Sequence, residues 1–211
     1  MGDVLHMVII FNYISVIDKT NYIIDIIVNI CKLYFNAKQR LIYLAIGTLV
    51  FMIAFSAGAE INLSKKEAED LKGQLTKQIV NIDQNGIFIN NVKVALGMFI
   101  PAVGTAIGIS SGFSTGMVFS AMAKTSPILT SVPPLIILFT PFGIMEVFAY
   151  GLAMSRSGLL IYQLVKKKSW KEYAIPTIIE IVIVAVILFV GAIIEWDLIQ
   201  QFGRLNDRQS M

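Results

Sequence analysis

The chain has 211 residues, 56% of them hydrophobic and 15% charged, with a mean hydropathy of +0.73; water is the wrong solvent for most of it. A net charge of +3 with no long basic run argues against nucleic acid as a partner. One cysteine, Cys31, excludes an internal disulfide. With His6 the only histidine, no Cys/His cluster for zinc or haem can form, and Cys31 reads as a small packing residue.

The start does not read as a signal peptide: Met1-Gly2-Asp3 is acidic, no basic segment precedes the apolar stretch, and no small-residue cleavage site follows it. The N-terminus is therefore expected to be retained. Residues 4–17 are apolar but interrupted by His6, Asn12 and Ser15, which predicts an interfacial or protein-buried helix rather than a span. Residues 22–35 form an apolar helical pattern whose polar stripe is Asn21, Asp25, Asn29, Lys32 and Asn36, as in a helix lying on or partly in the membrane surface.

Lys38 and Arg40 precede the first uncharged run, residues 41–59, and basic residues beside a span favour the cytoplasmic side. Residues 60–86 are the most water-compatible part of the chain. They open with Ser64-Lys65-Lys66-Glu67, a capping-box pattern that predicts a helix from Lys65. Ala68, Leu71, Leu75 and Ile79 recur on one face with Asp70, Lys72, Lys77 and Gln78 between them, the pattern of an amphipathic helix of about four turns. Asn85-Gly86 is expected to end this element with a turn.

Residues 94–123 contain no ionisable group but are too long for one untilted span. Ser110-Ser111-Gly112 near the middle predicts a helix down and a helix back, the second carrying Lys124 and stopping before Pro127. Residues 135–165 are again too long, and Pro141-Phe142-Gly143 predicts a break that leaves a span over residues 143–165 with a partial helix over 132–140 before it. Lys166-Lys167-Lys168 and Lys171 place the far end in the cytoplasm; the last apolar helix, residues 175–194, then exits outward with Trp196 at the interface.

The expected fold is an all-α, multi-pass helical bundle of about five transmembrane helices. Interfacial helices occupy residues 1–40, the transmembrane domain 41–197 with the extracytoplasmic helical loop 60–86, and a polar tail 198–211. The predicted setting is the cell membrane, N-terminus cytoplasmic and C-terminus extracytoplasmic.

Gly104, Gly108, Gly112 and Gly116 recur every fourth residue and form a smooth stripe for close helix approach, within one subunit or between subunits. Glu146 lies inside a span, where a carboxylate costs on the order of 3 kcal/mol unless it is protonated or paired. Two readings stay open for it. Beside the helix break at Pro141 and Gly143 it resembles an ion-handling residue of a transporter; otherwise it pairs with Lys124, Lys93 or Arg156 to fix helix order. Asn90 and Asn91 either cap the second span or hydrogen-bond to a neighbouring helix, and Glu180 is expected to be served by the nearby lysines or interfacial water. With no nucleophile-and-base set, phosphate loop or metal spacing, the chain is expected to be neither an enzyme nor a cofactor binder.

Asn90-Asn91-Val92-Lys93-Val94-Ala95, the Gly-rich double span, and Pro141-Phe142-Gly143-Ile144-Met145-Glu146-Val147-Phe148-Ala149 with Gly158 together resemble the stage II sporulation protein M family. There a paired-Asn segment precedes the second span and a Pro-His-Gly-x-x-Glu-x-x-Ala block follows. The resemblance covers residues 41–194. Phe142 stands where the family usually has His, Phe148 where Pro is common, and Ser114-Thr115-Gly116 where many members show Asn-Gly. What the resemblance implies is a multi-pass membrane protein, with a scaffold for cell-wall hydrolases as its sporulation member. The expected function is thus a membrane scaffold or complex subunit, whose partners are the bilayer and either a second copy or other membrane proteins. The alternative is a small-solute or ion transporter or channel using Glu146 beside a broken helix, with Lys124 also in the membrane zone.

Overall fold

The computed structural model describes residues 37–79, 83–125 and 133–209; the expected helices at residues 4–17 and 22–35 lie outside them. The chain divides into two compact units, Met1–Arg40 and Leu41–Met211. Of the first unit, residues 37–40 are described and are helical. Among the described residues every regular element is a helix, as required where hydrocarbon offers the backbone no hydrogen-bond partner. The molecule is an all-α membrane helical bundle.

The helices are α1 (Ala37–Ala59), α2 (Lys65–Ile79), α3 (Gln84–Met98), α4 (Val103–Thr125), α5 (Pro141–Val165) and α6 (Trp170–Gln209), with a 3₁₀ turn at Pro134–Phe139 before α5. Four of them, α1, α4, α5 and α6, are long and apolar enough to cross a membrane. The remaining apolar helix, α3, has 15 residues, about 22 Å of rise, short of the ~30 Å hydrocarbon core.

The α1–α4 contact is made through missing side chains. A Cβ at Gly116 would lie 2.0 Å from Phe55 O, one at Gly112 3.0 Å from Phe51 O, and one at Gly58 1.9 Å from Phe113 O. Phe51 lies against Gly112 while Phe55 and Ala59 lie against Gly116, so α1 and α4 run parallel. Helix α5 runs the other way: Gly151 meets Thr48, Gly108 meets Met154, and Gly104 meets Ser157. Tyr150, Ala153 and Met154 of α5, Phe51 and Phe55 of α1, Met98 of α3 and Leu188 of α6 form the core.

Helices α5 and α6 are antiparallel with a register fixed at two points, Arg156 against Glu180 and Met145 against Gly191. Leu41, Ile42, Ile46, Leu49 and Ile53 of α1, with Ile178, Val182 and Val186 of α6, remain exposed and form the apolar surface that a bilayer covers.

The capping box at Ser64 forms in both directions: Ser64 N donates to Glu67 Oε2 at 2.8 Å, and Glu67 N donates to Ser64 Oγ at 3.3 Å. Helix α2 packs on α4 with Ala68 fully buried. The strand of chain between α1 and α2 is clamped to the end of α4, where Lys124 Nζ donates to Asn62 Oδ1 and Leu63 O at 2.7 Å each and Ser120 Oγ donates to Ile61 O at 3.3 Å.

Several expectations are corrected. The chain does not turn at Ser110-Ser111-Gly112, which lies inside continuous α4; it turns between Met98 and Val103, where Ala102 has φ 67°. Pro101 is the stronger breaker, because its ring removes a backbone donor. Serine and threonine can stay in a helix by bonding back to its own carbonyls, as Thr115 Oγ1 does to Ser111 O at 2.8 Å. Asn85-Gly86 does not end an element but lies in the first turn of α3, whose N-cap Asp83 accepts from Gly86 N at 2.8 Å. The break expected at Pro141-Phe142-Gly143 is present: Thr140, with an extended ψ of 156°, separates the 3₁₀ turn Pro134–Phe139 from α5. Pro141 takes a first-turn position that needs no N–H, and the Thr140 hydroxyl caps α5 by accepting from Gly143 N at 3.1 Å. The last helix does not stop before a polar tail but continues to Gln209.

Candidate functional site

At the Lys166 end of the α5–α6 pair, the Arg156 guanidinium grips both carboxylate oxygens of Glu180, its Nε donating at 2.8 Å and its second nitrogen, NH2, completing a fork. Arg156 is 5% exposed and Glu180 3%, so each supplies the charge the other lacks in an apolar surrounding. Glu180 is thus served by Arg156. One further polar contact on this side holds the α3–α4 turn: Ser157 Oγ donates to Ile100 O at 2.8 Å, satisfying a carbonyl that the turn would otherwise strand.

Towards the α2 end of the same helix pair the arrangement is different. Glu146 of α5 is half-buried and accepts a hydrogen bond from Asn91 Nδ2 of α3 at 2.5 Å. The basic residues proposed as its partners lie elsewhere. Arg156 is committed to Glu180, Lys124 to Asn62 and Leu63, and Lys93 sits exposed on α3. Among the described residues Glu146 has no basic partner.

Asn91 is not a helix cap; it lies mid-helix in α3 and makes the interhelical bond. Asn90 is exposed and reaches Asn91 Oδ1 at 3.5 Å, too long to count for much. Gly104, Gly108, Gly112 and Gly116 line one buried face of α4 and meet α1, α5 and the end of α3 within the chain. Gly143 admits the 3₁₀ turn over the start of α5, since a Cβ there would lie 2.0 Å from Ile137 O.

Sequence reasoning missed Glu195 and Tyr150. Glu195 lies one turn beyond Gly191 on α6, and Gly191 faces Met145, the neighbour of Glu146. The Glu146 and Glu195 carboxylates are close enough to repel, and both act on the Tyr150 hydroxyl. Tyr150 is 5% exposed, its ring tilted against that of Phe51 with centroids 5.3 Å apart. Tyr150 stands one turn from Glu146, and that spacing was the available signal. Helical side chains lean towards their own N-terminus. In antiparallel α5 and α6 that leans Glu146 and Tyr150 one way and Glu195 the other, so the three converge.

Among the described residues no group of three or more His, Cys, Asp or Glu is placed to hold a metal ion. The polar atoms that do converge are oxygens and one amide, suited to protons or hard cations rather than to soft metals.

A family model described as Stage II sporulation protein M matches residues 40–195, and the chain belongs to that family. No curated protein and no solved structure matches it.

Proposed function

We propose that this member of the stage II sporulation protein M family is an integral membrane scaffold or complex subunit that organises partner proteins at the bilayer, rather than a catalyst. The observation that carries this reading is the clamp at Lys124 and Ser120, which ties the start of α2 to α4. A charged helix outside the apolar bundle is thereby held in a fixed place. Its exposed residues, Lys65, Lys66, Glu69, Asp70 and Lys72, leave a polar face of mixed charge free for a soluble domain or the polar loop of another membrane protein. The glycine stripe is spent on contacts within the chain, so association with a second copy would use another face.

Purification of the full chain from its native membranes in mild detergent tests this. A stoichiometric partner or homo-oligomer is expected, and Lys65→Glu with Lys66→Glu and Lys72→Glu should release the partner while leaving the bundle folded. A monomer that carries nothing in either form rules the reading out.

A second reading, movement of an ion or small solute, is favoured by one observation: Glu146 has an amide partner where an ion-pair reading requires a cation. Flux into proteoliposomes that disappears in Glu146→Gln would support it, and flux that is absent or unaltered would remove it.

A further inference from the structure

We propose that the turn joining α5 to α6 binds the headgroups of anionic phospholipids and gathers those lipids at that end of the bundle. Residues 166–172 carry four lysines against one glutamate. Lys168 meets that glutamate, Glu172, at 3.6 Å in an exposed pair, the kind that water and salt leave weak. Lys166 and Lys167 are exposed and meet no carboxylate among the described residues. The backbone holds these charges in place: Lys168 N donates to Gln163 O at 3.1 Å, Lys167 N donates to Leu164 O at 3.0 Å, and Lys167 has φ 50°. This is the closing turn in which glycine ordinarily takes the left-handed position. A lysine stands there instead, so three successive exposed lysines are presented from a turn pinned to α5.

The surroundings of the turn select lipid over a soluble polyanion. Helices α5 and α6 are each long and apolar enough to cross a membrane, and four residues separate Val165 from Trp170. A segment that short, roughly 14 Å when extended, cannot carry its charges clear of the membrane surface. Leu164 is exposed and Val165 is 74% exposed, so apolar surface runs up to the first lysine with no polar collar between them. Tyr162 and Trp170, both exposed, flank the lysines, and Lys166 Nζ lies 5.9 Å from the centre of the Tyr162 ring. Aromatic residues of this kind sit at headgroup level. An acidic phospholipid answers both halves of the surface at once, its phosphate meeting the ammonium groups and its acyl chains lying along Leu164 and Val165. A nucleic acid or an acidic soluble protein would answer the charge and leave the apolar half uncovered.

Lipid binding here requires neither the scaffold nor the transport reading, and its failure leaves both standing. The chain has two tryptophans, and Trp196→Phe leaves Trp170, beside the lysines, as the reporter. The full chain with that substitution is reconstituted in mixed phosphatidylcholine and phosphatidylglycerol bilayers, with one lipid or the other brominated high in its acyl chains. Quenching of Trp170 then reads which lipid lies against the turn. Phosphatidylglycerol should be enriched there about fivefold over its share of the bilayer, the factor expected of a single lysine close to an anionic surface. Raised salt should bring that enrichment towards one. Lys166→Gln with Lys167→Gln should abolish it, whereas Lys166→Arg with Lys167→Arg should keep it. Glycerol phosphate in solution should not displace the lipid. Equal quenching by the two lipids, an enrichment indifferent to salt, one retained in the glutamine variant, or one lost to glycerol phosphate overturns the proposal. Should the glutamine variant fail to insert, the salt series on the chain with its lysines intact decides by itself.

Discussion

Along one helix pair, α5 and α6, the same side chain meets two different environments. Towards the Lys166 end Glu180 is sealed in with a guanidinium that matches it in charge and shape. Towards the α2 end Glu146 and Glu195 face each other across the same interface with an asparagine and a tyrosine for company. The first arrangement is complete within the chain and behaves as a structural rivet. The second has no basic side chain against Glu146 among the described residues, and a carboxylate in an apolar zone costs on the order of 3 kcal/mol unless it is protonated or paired. A polar residue inside a membrane bundle therefore says little by itself; whether its counter-charge is built in decides whether it reads as structure or as function.

The contrast can be broken most forcefully at its complete end. Arg156→Ala leaves Glu180 buried without its partner and should destabilise the bundle by about 3–5 kcal/mol, read as a lowered unfolding midpoint in detergent. Replacing both partners by apolar residues, Arg156→Met with Glu180→Leu, should recover most of that loss; a double variant as unstable as the single one would mean the pair does more than cancel its own charges. At the other end Asn91→Ala removes one interhelical hydrogen bond and should cost about 1 kcal/mol, less than the loss of Arg156. An Asn91→Ala protein more fragile than Arg156→Ala would invert the comparison.

The smallest effect belongs to a carboxylate with a third kind of partner. Hydrogen bonds from Ser64, side chain first and backbone second, hold Glu67 below its ordinary value of 4.5. Because the folded form binds the proton less readily than the unfolded one, this stabilisation is fully present above 4.5 and is lost as pH falls through the depressed value. Amide exchange at Ser64 and Glu67 should quicken locally as the pH falls below 4.5 while the membrane helices stay protected. Ser64→Ala should produce the same local loosening at neutral pH. Exchange rates that follow only the intrinsic pH dependence would mean the capping box contributes nothing to α2.

The helices were legible in the sequence because their signals are local. Apolar runs located α1 and α6, and the Ser64 to Glu67 pattern located the start of α2. The error at Ser111 came from weighing three small polar residues above Pro101, although serine and threonine can hydrogen-bond within a helix and proline cannot. The candidate site was only half legible. Glu146 stood out as a charge within an apolar run, but its partner Asn91 is 55 positions away and Glu195 lies on another helix, separations that no periodicity encodes. Arg156 and Glu180 were both noticed and assigned to other partners, because pairing depends on register between helices, which is set by packing.

The parallel contact between α1 and α4 has a consequence in time. Gly58 finds Phe113, and Phe55 finds Gly116, only after α2 and α3 have been made. At a synthesis rate of ~5–20 residues per second, the intervening chain takes on the order of 3–10 s to emerge. During that interval α1 sits in the bilayer with the backbone at Phe51 and Phe55 met by lipid instead of helix. Assembly is thus a waiting process, in which the first helix holds a groove shaped for a partner not yet synthesised, and the glycines of α4 admit that helix and exclude bulkier early comers.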